Sequence, residues 1–113
     1  MIKELVFLRG SLRRLKAFPS EARRESGHQL WLVQEGQDPD DWRPMQTIGA
    51  GTREIRIHDP HEHQVIYVAQ FPEAVFVLHA FEKKTRRTRQ HDIDIARAAY
   101  AEVEAKRQEH TKQ

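Results

Sequence analysis

Two groups of side chains in this sequence have the types and spacing to do chemistry. The first is compact: His58, His61 and His63 fall within one short stretch that also holds Asp59 and Glu62. Imidazoles and carboxylates are good zinc or nickel ligands. The group falls in a turn with no rigid element on either side to converge it, so an ordinary polar turn with no metal is expected. The second group is spread along the chain. Glu54-Ile55-Arg56-Ile57-His58 alternates as a half-buried strand does, which puts Arg56 on the face opposite Ile55 and Ile57. By the same parity His79, Phe81 and Lys83 share one face of a later strand, and Lys84, Arg86, Arg87 and Arg89 continue the positive charge. Cations gathered about a histidine suit phosphodiester chemistry on RNA without a metal. A base takes the 2′-hydroxyl proton, cations stabilise the doubly charged phosphorane, and an acid protonates the leaving 5′-oxygen. Arg56, His79 and Lys83 are therefore the candidate catalytic set. Spacing fits a satisfied core histidine at His79 equally well, and a solvent-facing arginine paired with Glu54 at Arg56.

The elements that must position these residues form one small unit. The chain has 113 residues, 38% of them hydrophobic and 32% charged, with a mean hydropathy of −0.80. That composition fits a solvated globule with a single modest core and argues against disorder. Residues 1–105 are expected to form one domain and 106–113 a polar tail. No apolar run is long enough to span a membrane, no signal-peptide core is evident, and with no cysteine there are no disulfides or Cys-based metal centres. A cytoplasmic protein is expected. The formal net charge of +2 conceals a polarised distribution: residues 1–24 carry seven basic and two acidic side chains, residues 34–63 three and seven. Five of the nine basic residues in 82–113 lie between Lys83 and Arg89, a field able to recruit a polyanion.

Lys3 to Leu8 reads as a strand stopped by Gly10. Ser11 suits an N-cap for a short helix with Leu12 and Leu15 on its buried face, and Ser20 caps a second helix whose stripe is Ala22, Ser26, Leu30 and Val33. Residues 37–44, punctuated by two prolines, read as a loop. Met45–Ile48, a glycine kink at residues 49–51 and Thr52–His58 read as strand, kink, strand. Gln64–Phe71 and Ala74–Phe81 are nearly all apolar and belong at the centre of a sheet. From about Thr88 the period becomes helical, with Ile93, Ala96, Tyr100 and Val103 on one face. The order β-α-α-β-β-β-α implies an α+β fold: an antiparallel sheet, an N-terminal helical hairpin and a C-terminal helix.

Four segments carry a family likeness: residues 48–57 (Ile-Gly-Ala-Gly-Thr-Arg-Glu-Ile-Arg-Ile), 65–68 (Val-Ile-Tyr-Val), 77–85 (Val-Leu-His-Ala-Phe-Glu-Lys-Lys-Thr) and 92–96 (Asp-Ile-Asp-Ile-Ala). Together they resemble the RelE/HigB family, in particular its phage-derived "killer protein" branch of type II toxins, over roughly residues 2–103. The resemblance implies a RelE-like fold and a ribosome-associated mRNA endonuclease that halts translation by metal-independent cleavage and needs no cofactor. It also implies inhibition by a cognate antitoxin, often a helix-turn-helix DNA-binding protein, so that DNA is reached only through that partner. The family's catalytic cations correspond to Arg56 and Lys83. Arg53, Gln64, Lys84, Arg86, Arg87 and Arg89 are the positions expected to hold RNA. Two positions depart from the family pattern: relatives commonly carry arginine where this chain has Gln64, and proline where it has Arg89. A ParE-like gyrase inhibitor on the same fold, and a non-catalytic RNA- or antitoxin-binding protein, are the alternative readings.

Overall fold

A computed structural model describes residues 2–58 and 61–111. Its first strand, β1 (Glu4–Phe7), ends at Arg9 and Gly10, both with positive φ (48° and 79°). That reversal sends the chain directly into α1 (Ser11–Lys16). Ser11 does not cap this helix. It is buried, and its hydroxyl donates to the Val77 carbonyl at 3.1 Å. The expected buried pair is reduced to Leu15, because the inward face of this helix runs through Ser11 and Leu15, one turn apart, and leaves Leu12 to one side and exposed. In α2 (Ser20–Gln34) the stripe of Ala22, Ser26, Leu30 and Val33 is buried as the spacing requires. Ser20 makes no side-chain cap bond, and Pro19 holds the N-cap position.

The strand expected over residues 45–48 lies three residues earlier, as β2 (Trp42–Pro44). Pro44 lies at its end, where a missing N–H is tolerated. Tyr100 donates to the Ala50 carbonyl at 2.8 Å, and its ring fills the space a side chain at Gly49 would need. The glycine-rich turn is thus gripped from outside the sheet. β3 (Thr52–Ile57), β4 (His63–Val68) and β5 (Ala74–Glu82) follow, then α3 (Gln90–Thr111). That helix runs on through the stretch expected as a polar tail.

The α+β class expected from the sequence holds, with an architecture compatible with a RelE-like fold. The sheet has five strands in the order β1-β5-β4-β3-β2. Its successive β2–β3–β4–β5 pairings are antiparallel, whereas β1 lies parallel to β5, with Glu4 opposite Ala74. The chain that returns from β1 through both N-terminal helices makes this parallel edge possible. Both faces are covered. Leu15, Phe18, Ala22, Leu30 and Val33 pack on one face, against Ile55, Val65, Tyr67 and Val77. Ala96, Ala99, Tyr100 and Val103 of α3 pack on the other, against Ile66, Val68, Phe76 and Leu78.

A bulge in β5 decides where its second half points. Tyr67 pairs with Val77 but Ile66 pairs with His79, leaving Leu78 as the extra residue. Leu78 and His79 therefore both face α3, and Phe81 follows on the same side.

Candidate nucleic-acid interface

Register partners in a sheet share a face. Arg56, Gln64 and Phe81 form one row across β3, β4 and β5, and Arg43, Glu54, Ile66 and His79 form the next, starting from β2. Both rows lie on the α3 side. Glu54 is the anchor of this surface. It is fully buried, and its Oε1 accepts from Arg43 Nε at 3.0 Å while Oε2 has no partner. Burial raises its pKa above the usual carboxylate value, against the pull of the Arg43, Lys83 and Arg56 charges. One buried carboxyl is thus bonded to Arg43 and feels the charges of Lys83 and Arg56 as well.

Arg56 and Lys83 are half-buried and open onto the same recess of about 400 Å³, whose rim is Glu62, Lys84, Thr85 and Arg86. Their backbones are fixed: the Arg56 N–H donates to the Asp41 carbonyl at 2.9 Å and the Lys83 N–H to the Glu62 carbonyl at 2.8 Å. Arg56 Nε and both amide atoms of Gln64 are buried without a partner. Lys84, Arg86, Arg87 and Arg89 are exposed on the connection to α3. The Thr85 hydroxyl donates to the Arg87 carbonyl at 2.6 Å and shapes that turn, and the Arg89 guanidinium lies 3.6 Å from Asp92.

The structure therefore brings Arg56, Lys83, Lys84 and Arg86 to one recess with Gln64 buried beside Arg56, leaves Arg87 and Arg89 on the exposed turn beyond it, and separates two expected members. Arg53 lies one residue out of phase with Glu54 and Arg56, so it faces the α2 side. There it donates to Asp38 at 2.9 Å and stacks 3.9 Å from the Trp42 ring centroid. His79 is on the correct face but only 1% exposed, behind Phe81, whose ring stacks on it at 5.0 Å. Its Nε2 lies 2.8 Å from Asp92 Oδ1 in the first turn of α3, and Nδ1 is buried without a partner. Burial lowers its pKa, outweighing Asp92, so near neutrality it is a neutral imidazole donating through Nε2. Arg43 and Glu54 complete the cluster, and neither is evident from the sequence, which places Arg43 in a loop and Glu54 at the surface. The shared parity of Glu54 with Arg56 is the one signal that points to it.

The histidine-rich turn does not converge. His63 is buried on the α2 side against Phe18, at 4.6 Å between rings, and His58 is exposed between Asp41 and Glu62. Asp59 lies outside the described residues. Among the described residues no group of three His, Asp or Glu side chains is placed to hold a metal.

The protein is thus a five-stranded α+β sheet that carries cations beside a buried carboxyl and continues them along an exposed basic turn. The chain belongs to the family of phage-derived, Gp49-like proteins (DUF891), whose profile it matches over residues 13–101. This is a toxin-like family of toxin–antitoxin systems. No curated protein matches the chain. Among the described residues no helix is long and apolar enough to cross a membrane.

Proposed function

We propose that this chain is the toxin of a type II toxin–antitoxin pair and acts in the cytoplasm as a ribosome-associated mRNA endonuclease of the RelE/HigB kind. A helix-turn-helix antitoxin is its inhibitory partner and the route to DNA. The recess shared by Arg56 and Lys83 carries this reading. Arg56 and Lys83 are the catalytic cations, placed to meet the non-bridging oxygens of a scissile phosphate and to stabilise the charge that builds in the phosphorane. Gln64 lies beside Arg56 but is fully buried and does not reach RNA, whereas Lys84, Arg86, Arg87 and Arg89 track the flanking backbone as counterion-displacing charges. Glu54 keeps Arg43, Arg56 and Lys83 gathered on one side of the sheet. Stabilising the phosphorane calls for no metal, because these side chains supply the positive charge.

His79 has a different part from the one its residue type suggests. At 1% exposure it does not touch RNA. Through Asp92 it locks the start of α3 to β5, which makes it a positioning residue for the basic turn between them. Arg53, tied to Asp38 and Trp42, is left out of the RNA surface. The burial of His79 and the neutral Gln64 favour one second reading, a non-catalytic RNA-binding protein.

Primer extension on mRNA from induced cells, or on programmed ribosomes, decides among these. Discrete cuts within translated codons are expected. Ribosome binding without cuts selects the non-catalytic reading, and linear plasmid DNA trapped with gyrase replaces both with a ParE-like one.

A further inference from the structure

His58 is exposed beside the cationic recess and bonds to two carboxylates at once. Nδ1 lies 2.8 Å from Glu62 Oε1, and Nε2 contacts Asp41 Oδ2. These are the two residues whose carbonyls hold the backbones of Lys83 and Arg56. The ring therefore joins, through side chains, the two points from which the catalytic cations are hung. Glu62 also lines their recess.

We infer that His58 is a positioning residue for the proposed site: as an imidazolium it clamps Asp41 to Glu62 and fixes Arg56 relative to Lys83, and its deprotonation loosens both together. Only the imidazolium donates from both nitrogens. A neutral ring donates from one and turns a lone pair toward the other carboxylate. The charges that face the ring favour the closed form. Asp40 and Asp41 come from the segment before β2, Glu62 from the segment before β4, and Glu21 and Glu25 from α2, against Arg24 of α2 and Arg56 of β3. The bonds to Asp41 and then Glu62 raise the His58 pKa above the usual 6.5, with burial opposing them weakly. With the folded pKa raised, the clamp is fully closed below about 6.5 and opens as pH climbs through the raised value. The inference rests on the proposed function for its consequence in RNA cleavage, but not for its geometry.

The test is amide hydrogen exchange of the full chain against pH, read at Arg56 and Lys83 and corrected for base catalysis, alongside NMR titration of the His58 ring. Protection at both amides should fall together by about three- to tenfold, the size expected for losing two exposed ion pairs, with a midpoint matching the ring. The fall should be absent in His58→Gln. No step in the natural chain, or a step that persists in His58→Gln, overturns the clamp. Cleavage measured in parallel should lose rate on the same alkaline limb in the natural chain only. If the exchange step appears but neither protein cuts RNA, the clamp stands and the nuclease reading falls.

Discussion

Replacing Gln64 separates stability from activity at one position. Gln64 is fully buried in the centre of the sheet, between Arg56 and Phe81, and both atoms of its amide lack a partner. An unpaired buried polar group costs about 1–3 kcal/mol, whereas methionine fills nearly the same volume with no such requirement. Gln64→Met should therefore stabilise the fold by about 1–2 kcal/mol, less than the full desolvation term because methionine also loses rotamer freedom. For a chain of this size that is a rise in Tm of about 4–8 °C. Circular dichroism melting with urea denaturation checks it, and an unchanged m-value shows that stability alone has moved. The same variant should leave RNA cleavage essentially unchanged, because the buried amide does not reach RNA. Gln64→Arg, whose longer side chain can extend toward the recess beside Arg56, should trade stability for activity. A charge-assisted, forked donor raises cleavage by about 10- to 10³-fold, while a longer, charged side chain in a filled position costs about 1–3 kcal/mol. An equal or lower Tm in Gln64→Met would mean that the amide has a partner in solution and is not an unpaired buried group.

Arg56→Ala and Lys83→Ala should each lower cleavage by about 10²-fold or more while moving stability by under about 1 kcal/mol, since both side chains are half-buried; paired kinetics and melting curves show whether activity falls without the fold. Reversing Arg86 and Arg87 to Glu should weaken RNA or ribosome binding and flatten its salt dependence, which binding curves at two ionic strengths read directly. His79, whose folded pKa lies below its usual 6.5, should make the protein acid-sensitive: the unfolded chain takes up the proton first, so stability present above about pH 6.5 falls as pH drops toward the lowered value, and His79→Gln should remove that part of the decline in Tm. Glu54 works in the opposite sense. Its raised pKa makes ionisation costly in the folded state, so the stability of Glu54→Gln relative to the natural chain should rise as pH climbs from about 4.5 through the raised value.

Much of this surface is legible in the order of the amino acids. Alternation in residues 54–58 separates Arg56 from the core, and the apolar runs in β4 and β5 locate the sheet's centre, because burial on both faces leaves no polar positions. Three things are hidden for physical reasons. β2 escapes because two prolines and three aspartates disguise a short edge strand. Glu54 looks like a surface partner of Arg56, since residue type gives no warning that this carboxyl is fully buried and bonded to Arg43 from β2. His79 reaches the α3 face through a bulge at Leu78, and the cover that buries it there comes from Phe81 and from Asp92 on a separate helix. Alternation along one strand carries no trace of that cover.

The parallel pairing of β1 with β5 also orders the events of synthesis. Glu4 to Phe7 must wait for residues about seventy positions downstream before they find their partners, so closing this contact is the costliest strand pairing in the sheet. Lys83 and the basic turn emerge later still. On a translating ribosome the first strand and its two helices are therefore exposed while no complete cationic recess exists. A nascent or prematurely terminated chain ending before β5 carries Arg56 but neither Lys83 nor the sheet that positions it, so the recess the two share is complete only once most of the chain has been made.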